Sequence, residues 1–64
     1  MNHAQENESI SRYRSLAMIY ATNLWHEKNP ENRANIAMYL AEVATTLARM
    51  EAEEARKFKE ASVS

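Results

Sequence analysis

Few side chains in this chain are equipped for chemistry, and none of them is placed to perform it. The two histidines, His3 and His26, are far apart in sequence and have no companions at metal-ligand spacing. His26 and Glu27 are adjacent, and adjacent helical residues diverge by about 100°, so they do not form a chelating pair. Ser9, Ser11 and Ser15 have no histidine three or four residues away; Ser15 is eleven residues from His26. There is no cysteine, which removes thiol nucleophiles and disulfides together. Glu51, Glu53 and Glu54 could form a carboxylate pair, but they fall within a run of alternating charges that reads as a solvated helix end. Glycine is absent as well, and with it the phosphate-cradling loops of nucleotide binders. The expectation is a protein that is not an enzyme and uses no metal or cofactor.

The second half carries two adjacent heptad seams. One is large and apolar: Ile36, Leu40, Val43, Leu47, Met50. The other is small: Ala34, Ala37, Ala41, Ala44, Ala48, with Ala55 one heptad further. Steps of three and four residues align each set along one side of a helix. In the first half, Ile10, Tyr13, Ala17, Tyr20 and Leu24 form a matching stripe, widened by Leu16. Between the halves lies Lys28-Asn29-Pro30-Glu31. Proline disfavours the α conformation at Asn29 and is suited to the first position of a new helix. Asn29 then serves as N-cap, and Glu31 sits at the positive end of the helix dipole.

The reading is all-α, a single domain over residues 1–64. Helix 1 is expected over about 8–28, the bend over 28–30 and helix 2 over about 30–61. Asn2, Asn7 or Ser9 could cap the first helix, and both chain ends are expected to fray. At 1.5 Å per residue the helices measure roughly 31 Å and 46 Å, so the second overhangs unless the first starts near Asn2. Glu53–Lys57 and Arg56–Glu60 can pair along the overhang.

A helix with two packable sides needs two neighbours, and one hairpin supplies one. Sixty-four residues without disulfides or metal bury a modest core, and oligomerisation is the remaining remedy. An antiparallel hairpin that forms a homodimer, as a four-helix bundle, satisfies both seams. Its core and dimer contacts are expected from Tyr13, Tyr20, Leu24, Ile36, Leu40, Ala41, Val43, Ala44, Leu47, Met50 and Phe58. Periodicity leaves open which seam faces helix 1.

Several residues fall off these stripes. Ile19 lies opposite the helix 1 stripe, Met18 and Trp25 share a flank beside Arg14 and Ala21, Met38 faces away from the Ile/Leu seam, and Tyr39 lies at its edge. Trp25 can pack beneath the Asn29-Pro30 bend. Taken together, Tyr39, Met38, Trp25 and Ile19 are residue types that anchor protein interfaces, and Arg12, Arg14 and Arg33 can add charged contacts. The net charge of −1 carries no signature for nucleic acid or anionic membrane. The longest apolar run, residues 16–21, is far short of the ~20 residues of a membrane span. The polar segment 1–9 lacks the order of a secretory signal, so the expected location is cytoplasmic.

In size, layout and surface style the chain resembles the small helical regulators made by bacteriophages and plasmids. Phage anti-activators, which bind a host transcription regulator, are one such kind. This resemblance implies a dimer that inhibits a larger host protein, such as a transcription factor or a motor ATPase, by helical-face contact. Over about residues 8–56 the two-helix layout also resembles the Rop-like hairpin dimer, which implies RNA binding as the alternative. Arg12, Ser15, Asn23 and His26 would then contact phosphates, with Ile19 in their midst. The alanine seam departs from that family's alternating small and large core layers. A structural assembly protein is a third reading.

Overall fold

The computed structural model describes the backbone of residues 2–63 and the side chains of residues 9–62. Two α-helices, α1 (Asn2–His26) and α2 (Pro30–Val63), make up the described chain, which contains no strand. They fold back on each other as a hairpin 51 Å long, 21 Å wide and 14 Å thick.

The bend is assembled from side chains of the turn itself. The Asn29 carboxamide oxygen accepts from the backbone N–H of Glu31 at 2.8 Å and of Asn32 at 3.2 Å. The Asn29 carbonyl accepts the first helical bond of α2, from Arg33 N–H at 2.9 Å. Asn29 is thus the N-cap and Pro30 the first helical residue, as the Asn-Pro-Glu pattern predicts. Glu27 adds a second tie. Its carboxylate accepts from Asn29 N–H at 3.2 Å and from the Asn32 side-chain amide at 3.4 Å. Arg33 reaches back to the Lys28 carbonyl at 3.3 Å. α1 consequently ends at His26, two residues before the expected boundary: the chain must leave helical geometry ahead of the pre-proline residue.

The other ends are longer than expected. α1 begins at Asn2 rather than near residue 8, because 1–8 holds no glycine or proline to stop it. Ser9 is therefore inside the helix and not its cap; the side chains of Asn2, Asn7 and His3 lie outside those described. α2 continues to Val63, and the Ser62 hydroxyl donates back to the Phe58 carbonyl at 3.0 Å. Ser64 lies outside the described residues. With 34 residues against 25, α2 is nine longer than α1.

The structure decides between the two seams. Ile36, Leu40, Val43, Leu47 and Met50 are half-buried against α1, whose own half-buried residues are Ile10, Tyr13, Leu16, Ala17, Tyr20 and Leu24. Glu27, just past the end of α1, is half-buried too. Every member of the alanine seam is exposed, Ala41 and Ala44 included. No described residue is fully buried. Two cylinders touch along one line, so each seam residue keeps a side in solvent.

Half-buried leucines still carry packing energy. Leu47→Ala should lower stability by about 2 kcal/mol, near the lower end for leucine truncation. Asn29→Ala should cost about 1 kcal/mol through loss of the cap. Urea unfolding at a fixed protein concentration measures both.

Candidate interaction surface

Three contacts between the two halves of the chain define the faces of the hairpin. Arg14 Nε lies 3.9 Å from a Glu51 carboxylate oxygen. Tyr20 and Tyr39 stack with ring centroids 6.0 Å apart and planes inclined by 20°. Glu27 and Asn32 meet at the bend. On helices of 3.6 residues per turn, Arg14 and Glu51 are displaced to one side of their seams, and both Tyr20–Tyr39 and Glu27–Asn32 to the other. The hairpin therefore has two broad faces, one marked by the ion pair and one by the tyrosines.

The ion-pair face gathers residues that are distant in sequence. From α1 it takes Met18, Ala21 and Trp25, which follow Arg14 around the same flank, with the exposed Thr22 beside them. From α2 it takes the alanine seam, which follows Glu51 around the matching flank. Met18 is 67% exposed and Trp25 is 85% exposed. Trp25 does not pack beneath the bend, because Glu27, Asn29, Asn32 and Arg33 close that end with polar contacts. Thr45, at the outer margin of the seam, donates its hydroxyl to the Ala41 carbonyl at 2.8 Å.

The tyrosine face is differently built. Tyr39 keeps 54% of its surface exposed while one side of its ring lies against Tyr20. Glu42 is exposed and Thr46 half-buried on the same flank of α2. Toward the open end of the hairpin a groove is lined by Ser9, Ile10, Met50, Glu53, Glu54 and Lys57. Glu53 is also paired with Arg56 on the same helix.

The remaining expected contact residues lie on neither face. Arg12 and Ile19 are on the outer edge of α1, with Ile19 53% exposed, and Met38 is on the outer edge of α2 at 61%. Arg33 is engaged at the bend. Phe58, expected among core and dimer residues, points along the Ile/Leu seam but is 76% exposed. So the structure groups Trp25 with Arg14, sets Tyr39 on the opposite face, and leaves Arg12, Ile19 and Met38 at the edges. Sequence reasoning placed Met18 beside Trp25 but did not join them to the alanine seam. The seven-residue spacings Met18–Trp25 and Ala37–Ala44 were visible; their common face was not.

Among the described residues, no group of three histidine, aspartate or glutamate side chains converges as a metal set, and no helix is long and apolar enough to cross a membrane. Comparison with protein-family models, curated proteins and solved structures returned no match.

The tyrosine stack should behave as a coupled pair. In a double-mutant cycle, Tyr20→Ala and Tyr39→Ala should show an interaction energy of about 0.5–1.5 kcal/mol. Additive losses would mean that the rings contribute only separate burial.

Proposed function

We propose that the chain is a small homodimeric regulator that binds a larger protein through helical-face contacts. One observation carries this reading: the hairpin exposes too much surface to be a finished globule. Its accessible area is 5470 Å². A compact monomer of 7.4 kDa exposes ~4,200 Å². The difference is about 1,300 Å² per chain, so two chains can cover about 2,600 Å² together, the size of an obligate dimer interface. A four-helix bundle of two hairpins meets that need.

Self-association on one broad face leaves the other for a target. Tyr39, with Ile19 and Met38 at the margins, supplies the aromatic and flexible apolar groups that anchor protein interfaces. Arg12 at the outer edge of α1 and Arg33 at the bend supply charge, while Arg14 lies on the opposite face. A regulator of this design acts by occluding a helical or grooved surface on its target, in the manner of the phage anti-activators that the chain resembles. A host transcription regulator in the cytoplasm is the target class this reading favours. The Rop-like alternative would place RNA along the exposed row Arg12, Ser15, Asn23 and His26, and an assembly role would involve no regulatory target.

Sedimentation equilibrium at micromolar concentration should give twice the chain mass. Affinity capture from lysate of the source cell, with nuclease, should retain a stoichiometric protein that resists salt and is lost with Tyr39→Ala. Capture of RNA with a steep salt dependence, lost with Arg12→Ala, would favour the RNA reading instead.

A further inference from the structure

The ion-pair face has the shape and charge to receive a copy of itself in one particular orientation. Residues of α1 nearer the bend lie level with residues of α2 nearer the bend. The contacts Arg14–Glu51, Tyr20–Tyr39 and Glu27–Asn32 set the register. The last two pairs put Trp25 level with Ala34, at the start of the turn 34–37, and Met18, between the first two, falls level with the turn 41–44. The face thus carries large residues down one side and alanines down the other, at matching heights and with the same seven-residue repeat.

We infer that a second copy covers this face through a two-fold axis parallel to the helices, with both bends at the same end. The inference rests on the self-association proposed above and specifies its surface and orientation. Rotation about that axis lays α1 of each copy over α2 of the other. Met18 then meets the second copy's turn Ala41–Ala44, and Trp25 meets its turn Ala34–Ala37, twice over by symmetry. Large side chains opposite alanines fill the interface to interior density without strain. Alanine also permits the helix axes to approach to about 8 Å.

Charge selects the same orientation. At the end away from the bend, Arg14 and Glu51 of one copy stand over Glu51 and Arg14 of the other, so the four charges alternate in sign around the axis. Turning one copy end for end sets this pair toward the apolar Trp25 end. The excess exposed area of the whole chain, about 1,300 Å², is larger than the ~800 Å² per partner that a standard interface needs, so covering one broad face is within what the hairpin has to offer.

The orientation is tested by spin labels at Lys28→Cys, which introduces a single cysteine into a chain that has none. Bends at the same end should place the labels within about 30 Å, two or so helix spacings plus the label arms. Opposed bends should give a distance approaching the 51 Å length of the hairpin, which would overturn the arrangement. The surface is tested by Trp25→Ala, which removes an exposed ring and leaves the seam between α1 and α2 intact. Circular dichroism checks that the helices persist. The dimer dissociation constant should rise about thirtyfold or more, the effect of losing an interface anchor. Ala44→Met should also weaken the dimer, and adding Met18→Ala should restore it. An unchanged dimer with Trp25→Ala would place the interface elsewhere and leave the regulator reading standing. Retained self-association with lost target capture would assign the face to the target. A wild-type monomer at micromolar concentration would overturn both this inference and the dimeric reading.

Discussion

Two helices in contact share one line, and the properties of this chain follow from that restriction. Each helix can offer the other a single stripe. The larger stripe on α2, from Ile36 to Met50, takes that contact, and its members reach only half-burial. Whatever apolar surface lies to either side stays in solvent. In most small domains a third element covers such flanks. Here the described chain has none, so the flanks themselves become the principal feature of the surface.

The bend converts this restriction into a defined shape. Three residues separate the helices, and their conformation is set by side chains rather than glycine. Asn29 caps α2 while Glu27 holds both Asn29 and Asn32. These bonds determine the register with which α1 meets α2. That register in turn brings Arg14 beside Glu51 and Tyr20 beside Tyr39. A different bend would pair other heights and divide the Met18–Trp25 row from the alanines at its level.

The two broad faces have different chemistry. One is a smooth field of alanines bordered by Met18 and Trp25 and closed at one end by an ion pair. The other presents stacked tyrosines among glutamate and threonine. The first matches the demands of close helix packing, in which small residues let backbones approach. The second mixes aromatic rings with polar and charged neighbours, so it lacks the smooth apolar surface of the first.

The two-helix plan, the position of the bend and the cap at Asn29 were legible in the sequence, because each is a local matter of periodicity or of proline and asparagine stereochemistry. The helix ends were less so. The pre-proline restriction at Asn29 ended α1 short of residue 28, and an unbroken polar segment lengthened it at Asn2. Periodicity identified both seams but could not rank them, since a heptad pattern says that a stripe is packable and not what packs on it. Only the meeting of the two helices decided that the large seam turns inward and the alanines outward. The same meeting joined Met18 and Trp25 to those alanines and set Tyr39 on the far side. Face membership across two helices depends on their relative rotation, and that rotation comes from the bend and the interhelical contacts, not from the pattern along either helix.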